Sequence, residues 1–204
     1  MRLEAGGLVC IRGGREVFAG LDFSIGSGEA LLVTGRNGAG KSTLLRVIAG
    51  LVRLSGGRLT LSGGDAERSI GEQAHYLGHQ DALKPSLTVA ENLSFWARYL
   101  GPGKLAKGSI EAALVAVGLG ALPDLPAAYL SAGQRRRLSV ARLLAVKRPL
   151  WLLDEPTAAL DSEAQRTLAY LMREHLSGGG LIAAATHGPI GLDRARELRL
   201  GVRA

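Results

Sequence analysis

A glycine-rich segment at residues 31–45, LLVTGRNGAGKSTLL, holds the residues with the most evident chemistry. Within it, residues 35–42 fit the pattern G-x-x-x-x-G-K-[ST], whose glycines allow positive φ angles and let main-chain N–H groups surround phosphate oxygens. A helix predicted to begin at Lys41 adds a partial positive charge, and the Ser42 hydroxyl can ligate Mg²⁺. The spacing therefore predicts a nucleoside triphosphate site. Its predicted residues are Gly35, Arg36, Asn37, Gly38, Ala39, Gly40, Lys41, Ser42 and Thr43.

Two carboxylates, Asp154 and Glu155, follow the apolar segment 150–153, which is typical of a buried strand. In a parallel sheet, the carboxyl ends of strands lie near the phosphate-binding crevice. Asp154 is suited to holding the Mg²⁺ shell and Glu155 to polarising an attacking water. A strand that ends in two acids also occurs in structural positions, but its place after a phosphate loop favours the chemical interpretation.

The first eighty residues predict mostly strands. Residues 1–30 are interpreted as short strands with glycine-rich turns, in which Leu21, Phe23 and Ile25 alternate as one buried face would. Further strands are predicted at 30–34, 59–61 and 75–78, with a helix from Lys41 to about Gly50. Strands and helices that alternate after a phosphate loop indicate an α/β fold with a parallel sheet.

Helical periodicity dominates an insert at about residues 85–145. Thr88 is the predicted N-cap of its first helix, with Glu91 at the capping-box position. A second helix is predicted at 112–117, and a third follows Gln134 and ends before Pro149. Beyond the insert we expect a strand at 150–153, a helix at 162–176 with a serine cap, and a strand at 181–186. The whole chain, residues 1–204, is predicted to be one domain.

Composition narrows the class of protein. The 204 residues are 47% hydrophobic and 21% charged, as in globular proteins. A single cysteine, Cys10, excludes an intrachain disulfide and argues against a zinc cluster. No apolar run is long enough for a membrane span, and the N-terminus lacks a signal peptide pattern, so the cytosol is the expected compartment.

The net charge of +7 comes from scattered residues, and we expect no nucleic-acid partner. The run 135–137 is expected to form a solvated helix face.

A second motif connects the chain with a known family. Residues 130–134, LSAGQ, precede the third predicted helix and resemble the LSGGQ signature of ATP-binding cassette (ABC) ATPases, with Ala132 in place of a glycine. Gln80, residues 159–161 (ALD) and residues 186–187 (TH) also match family motifs in family order. The sequence is therefore identified as a member of this family over nearly its whole length. The resemblance implies the ABC type of P-loop NTPase: a mostly parallel sheet core, an N-terminal antiparallel β part and an inserted helical subdomain.

The resemblance assigns roles to these matched positions. It implies three catalytic residues, which are Glu155, His187 and Gln80. The implied metal ligands are Ser42, Gln80 and Asp154. The signature residues that touch ATP held by an opposite subunit would be Ser131, Ala132, Gly133 and Gln134, and Asp161 would lie at the dimer seam. Each of three positions also has a structural interpretation: Gln80 as an exposed strand end, Asp161 as a helix-cap carboxylate and His187 as a turn residue.

One position departs from the family pattern. Where many ABC ATPases stack an aromatic ring on adenine, alignment on Gly28 and Glu29 gives Arg12. A guanidinium also stacks on a flat base, so Arg12 is a candidate ATP-binding residue with loose selectivity for adenine. A surface arginine in a turn is the alternative.

Within the family, three segments resemble the ATP-binding subunits of haem exporters of cytochrome c biogenesis: YLGHQDALKPSLTVAENLSFWARYLG, LSAGQRRRLSVARL and the end TH…LRLG. This resemblance implies ATP and Mg²⁺ as cofactors, and as partners a transmembrane permease and a second ATP-binding subunit in a homodimer. It also implies a peripheral position on the cytoplasmic face of the bacterial inner membrane. An exporter of a drug or lipid, a soluble ABC ATPase that acts on ribosomes or DNA, and a nucleotide sensor without turnover are the alternatives. Whether haem itself is moved, or ATP drives its release from a chaperone, stays open.

Overall fold

A computed structural model describes residues 1–101 and 108–201. The strands are β1 (Arg2–Arg12), β2 (Arg15–Gly26), β3 (Ala30–Thr34), β4 (Gly56–Ser62), β5 (Ala74–Leu77), β6 (Leu150–Asp154), β7 (Leu181–Ala185) and β8 (Arg196–Arg199). The helices are α1 (Lys41–Ile48), α2 (Val89–Leu100), α3 (Ser109–Ala116), α4 (Ala132–Ala145) and α5 (Ser162–Ser177).

The chain divides into two compact units. The first comprises Met1–Gly78, Arg148–Pro156 and the residues from Leu171 onward, and the second comprises His79–Lys147 and Thr157–Tyr170. The boundaries of a single domain at 1–204 and of a helical insert at 85–145 stay predictions, and residues 102–107 of that insert lie outside the described residues.

A parallel sheet in the first unit brings the chemical residues to one edge. Its strand order is β5-β6-β7-β3-β8, and every pairing among these strands is parallel. Strands β6 and β7 are buried along their full length, because their residues are almost all apolar. Parallel strands share the direction of their carboxyl ends, so the phosphate loop after β3, Asp154 at the end of β6 and the residues after β7 lie along the same edge. The predicted mostly parallel core is confirmed.

The first unit also contains the predicted antiparallel part, with the strand order β2-β1-β4. The prediction of short strands was wrong, because β1 and β2 extend over 11 and 12 residues. Shifts of register between Ala5 and Leu8 and again beyond Leu8 let β1 continue through its glycines without ending the strand.

Two helices of the second unit, α2 and α4, begin at side-chain capping boxes. The predicted capping box of α2 is confirmed: the Thr88 hydroxyl accepts from the Glu91 N–H at 3.1 Å, and the Glu91 carboxylate accepts from the Thr88 N–H at 2.8 Å. The predicted start of the third helix was wrong, because the signature residues do not precede α4 but form its cap and first turn. Ser131 is the N-cap, and its hydroxyl accepts from the Gln134 N–H at 3.2 Å.

Two further expectations need correction. The N-terminus of α5 is capped by Asp161 and not by Ser162, because Oδ1 of Asp161 accepts from the Ala164 N–H at 2.8 Å. The run 135–137 is not a solvated face throughout, since the Arg136 side chain is only 3% exposed and pairs with Asp81. Among the helices in residues 1–101 and 108–201, none combines the length and apolar character that a bilayer crossing requires.

A half-buried histidine in α5, His175, makes stability depend on pH. His175 stacks on Trp151 of β6 with ring centroids 4.0 Å apart, and its Nε2 lies 3.1 Å from the Pro149 carbonyl. Burial lowers the pKa of His175, although its carbonyl contacts oppose the effect. Because the unfolded chain then binds the proton more readily, we expect the free energy of unfolding to fall as pH drops from about 6.5, the ordinary value. The loss is complete once the pH lies below the folded-state pKa.

Urea unfolding at pH 7.5 and 5.5 measures this effect. We expect His175→Gln to reduce the difference between the two pH values, because it removes the group that takes up the proton on unfolding. The exposed His79, replaced by Gln, is the matched control and is expected to keep the wild-type difference. An unchanged difference in His175→Gln would contradict the prediction.

Candidate functional site

The segment between β3 and α1 has the backbone of a phosphate loop. Gly40 is the N-cap of α1 with φ of 99°, and Gly35 has φ of 138°. A Cβ at Gly35 would lie 2.5 Å from the Leu200 carbonyl oxygen, and one at Gly40 would lie 2.6 Å from Cγ1 of Val17. Both positions therefore require glycine for conformation and for space. The local order of strand, turn and helix is the one that the sequence predicts.

Lys41 contacts the loop and a residue far away in sequence. Its side chain is buried, and Nζ donates to the carbonyl oxygens of Gly35 at 2.8 Å and Arg36 at 3.2 Å. The same atom lies 3.0 Å from Nε2 of His187, which follows β7. Since an ammonium group only donates, Nε2 is the acceptor in this contact. The structure thus brings together Lys41 and His187.

The side chains of Ser42 and Asp154 are joined by a hydrogen bond. The Ser42 hydroxyl donates to Oδ1 of Asp154 at 2.9 Å, and Asp154 is only 3% exposed. The Tyr76 hydroxyl lies 3.4 Å from Oδ2 of the same carboxylate and accepts from Nε of Arg46 at 3.2 Å. Burial raises the pKa of Tyr76, so this side chain is a neutral phenol at physiological pH.

The donor set around Asp154 fits Mg²⁺. A hydroxyl and a carboxylate are hard oxygen ligands, and Mg²⁺ is commonly held by one or two protein groups together with substrate phosphates. In the described part of the chain, no group of three or more His, Cys, Asp or Glu residues could form a metal site made of protein ligands alone. The predicted ligands Ser42 and Asp154 are therefore adjacent, while the third, Gln80, belongs to the second unit.

Glu155 lies at the turn that follows β6. Its φ of 46° is uncommon for a residue with a side chain, and its N–H donates to the Ala185 carbonyl at 2.9 Å, which fixes the turn to β7. Oε1 of Glu155 lies 3.6 Å from Nε2 of His187. A carboxylate next to an imidazole can orient a water molecule and accept its proton.

One cleft of about 790 Å³ in the first unit contains these groups. Its wall includes the hairpin between β1 and β2, where Arg12 is exposed. Sequence reasoning missed four further lining residues in that hairpin, Gly13, Arg15, Glu16 and Val17. Their closeness to Arg12 in the sequence could have indicated that they line the site, but the hairpin contains no recognisable motif. The cleft is lined by Arg12, Gly13, Arg15, Glu16, Val17, Asn37, Gly38, Gly40, Lys41, Ser42, Thr43, Asp154, Glu155 and His187.

The predicted residues Gln80, Asp161 and 131–134 belong to the second unit. Gln80 is exposed in the segment after β5, and Asp161 caps α5. In the signature, Ser131 and Gln134 form a capping box, and Ala132 is exposed. Gly133 has little room for a side chain, because a Cβ there would lie 3.1 Å from the Ala159 carbonyl oxygen.

Comparison with known proteins decides the family. Residues 18–158 match the family model described as ABC transporter. The chain belongs to the ABC transporter family. It is 62% identical over 201 residues to the cytochrome c biogenesis ATP-binding export protein CcmA of Nitrobacter winogradskyi, and 64% identical over 201 residues to the protein of the same name from Rhodopseudomonas palustris. Each alignment covers 98% of both chains.

The ABC fold is also found in solved structures. The structure of an ATP binding subunit of an ABC transporter matches with a TM-score of 0.86 at 25% identity, covering 98% of this chain and 86% of that one. The predicted ABC fold is thereby confirmed, and the chain is an ABC-type ATPase.

Gly35 and Gly38, two of the three positive-φ glycines of this ABC phosphate loop, predict a graded effect. Gly38→Ala strains the backbone at φ of 79° without meeting any atom within 4 Å, so we expect a loss of about 1–2 kcal/mol in the free energy of unfolding. Gly35→Ala adds a collision with the main chain of Leu200 and is expected to lose more, and to weaken ATP binding as well. Denaturant unfolding and ATP titration measure both effects. Equal losses in the two variants would contradict the role of the Leu200 contact.

Proposed function

We propose that this ABC chain is the ATP-hydrolysing subunit of the haem exporter of cytochrome c biogenesis. The observation that carries ATP hydrolysis is the convergence of Lys41, the Ser42–Asp154 pair, Glu155 and His187 in one cleft. The cytochrome c biogenesis assignment is supported by two CcmA relatives that align with 98% of this chain.

Residues of the first unit supply the chemistry. The loop at 35–43 binds the phosphates through its main-chain N–H groups, and Lys41 exchanges its loop carbonyls for phosphate oxygens. Ser42 and Asp154 would hold Mg²⁺, whose charge stabilises the phosphate oxygens, and the family resemblance implies Gln80 as a further ligand. Glu155 orients a water and accepts its proton, and His187 donates to the terminal phosphate. Arg12 stacks on the base.

The site is completed by a second copy of the chain. ATP lies between the phosphate loop of one copy and the signature of the other, formed by Ser131, Ala132, Gly133 and Gln134. The start of a helix whose first N–H groups are partly unpaired is suited to an anion, and the exposed Ala132 leaves that end accessible. Asp161 lies at the seam between the copies. A transmembrane permease is the remaining partner, and it places the chain on the cytoplasmic face of the bacterial inner membrane.

A pull-down from detergent-solubilised membranes tests this function. Tagged wild-type protein is expected to recover membrane proteins of cytochrome c biogenesis, and the recovered complex is expected to release phosphate from ATP. The same complex with Glu155→Gln is expected to assemble without turnover. Recovery of a different permease would keep ATP-driven export and change the cargo to another molecule. Recovery of ribosomes or DNA alone would overturn the transport function.

A further inference from the structure

A polar cluster in the second unit surrounds Asp81, the residue after Gln80. The Ser139 hydroxyl donates to the main-chain oxygen of Asp81 at 2.9 Å, and Nη1 of Arg142 donates to the same oxygen at 3.2 Å. Nη1 of Arg136 lies 3.6 Å from Oδ1 of Asp81. The three partners all belong to α4. We call Asp81, Arg136, Ser139 and Arg142 the Asp81 cluster.

Helix α2 contacts Ala82, the residue that follows Asp81. Nε1 of Trp96 donates to the Ala82 carbonyl at 2.9 Å, and Ala82 has the uncommon φ of 53°. The guanidinium of Arg142 lies 4.3 Å from the centroid of the Trp96 ring. Side chains of α2 and α4 therefore hold the segment after Gln80. They contact the main-chain oxygens of Asp81 and Ala82 and the carboxylate of Asp81.

Because Arg136 and Arg142 are buried, moving Asp81 away from α4 is energetically unfavourable. Arg136 and Arg142 are 3% and 7% exposed, and burial lowers the pKa of Arg142 to about 10, so the guanidinium of Arg142 is still charged at neutral pH. Separating a buried charge from one of its acceptors is unfavourable. A movement of α4 that left Asp81 behind would break such contacts. We therefore expect Asp81 to move with α4.

The position of the cluster on α4 places it next to the signature. Arg136 follows Gln134 by two residues, so the cluster begins directly behind the signature turn at the start of α4. We propose that Asp81 is a positioning residue: it ties Gln80 to α4, so that engagement of the signature with ATP sets the position of Gln80. This role rests on the proposed functions of Gln80 and of residues 131–134.

Steady-state kinetics of the complex recovered from membranes tests the positioning role. Asp81→Asn removes the charge that pairs with Arg136 but keeps the main-chain acceptor, and Arg136→Gln removes the opposite charge. A misplaced catalytic group costs up to about 10²-fold in rate. We expect kcat to fall about tenfold or more in each variant, with the KM for ATP within about twofold of wild type, because neither residue lines the ATP cleft.

Two matched variants separate positioning from folding and from bulk charge. Arg136→Lys keeps the charge next to Asp81 and is expected to retain most of kcat. Arg137→Gln removes the same charge from the neighbouring residue of α4 and is expected to leave kcat within about twofold. Wild-type kcat in Asp81→Asn would overturn the proposal, as would an equal loss in Arg137→Gln. Since Asp81 lies outside the helices, Asp81→Asn provides the test even if Arg136→Gln fails to fold.

Glu155→Gln in the same complex distinguishes this proposal from the proposed function. Lost turnover in Glu155→Gln with wild-type kcat in Asp81→Asn overturns only the positioning role. Retained turnover in Glu155→Gln overturns the proposed function and with it the role given to Gln80. Lost turnover in Glu155→Gln and a reduced kcat in Asp81→Asn, with most of kcat retained in Arg136→Lys, supports both proposals.

Discussion

Replacement of Glu155 by Gln is expected to lower the rate of ATP hydrolysis by about 10²–10⁴-fold while ATP still binds. A positioned general base contributes a factor of this size, and an amide cannot take the proton from water. Gln has nearly the same shape as Glu, so the turn at φ of 46° and its hydrogen bond to Ala185 are retained. Single-turnover phosphate release measures the chemistry, and titration with ATP measures binding separately.

The exposed Glu174 provides the control for this experiment. Glu174→Gln makes the same chemical change in α5, and we expect its rate to equal that of the wild type. A near wild-type rate in Glu155→Gln would show that another group activates the water. Loss of ATP binding in the same variant would instead show that Glu155 acts in ground-state binding and not in the chemical step.

Replacement of Lys41 by Ala is expected to weaken ATP binding by about ten- to a hundredfold. Hydrogen bonds to charged groups contribute about 1.5–3 kcal/mol, which corresponds to that range of dissociation constants. Lys41 is only 7% exposed, and its ammonium group is held at the phosphate loop by the Gly35 and Arg36 carbonyls. Isothermal titration with ATP and Mg²⁺ measures the effect directly.

The exposed Lys147 provides the control for the loss of one positive charge. Lys147→Ala is expected to bind ATP with wild-type affinity. Equal affinity of Lys41→Ala and Lys147→Ala would contradict the assignment of Lys41 as the phosphate ligand. Reduced affinity in both would attribute the effect to the net charge of the chain.

The sequence predicts those elements whose signals are local. The phosphate loop, the apolar strand before Asp154 and the capping box of α2 each depend on residues within a few positions of one another, and the structure contains them where they were predicted. Strand β8 was missed, because Arg196, Glu197 and Arg199 give it no apolar pattern. It forms because its main chain pairs with β3, a partner far away in sequence.

The errors about individual side chains have the same origin, which is contact between residues far apart in sequence. Arg136 looks like a surface residue in a run of arginines, and only the distant Asp81 explains its burial. Likewise the hairpin residues Arg15 and Glu16 carry no motif, and folding alone brings them to the cleft. The contact between Lys41 and His187 joins residues 146 positions apart, so only the family resemblance suggested that His187 belongs to the site.

The strand order has a consequence for synthesis of the protein. Strand β3, which ends at the phosphate loop, pairs with β7 and β8, whose residues 181–199 are translated long after it. During translation, the segment at 35–42 therefore lacks both of its flanking strands until most of the chain has left the ribosome. Contacts over such long separations form slowly. The nascent chain consequently gains its nucleotide pocket as one of the last steps of folding, after the antiparallel strands β1, β2 and β4 have become available to pair.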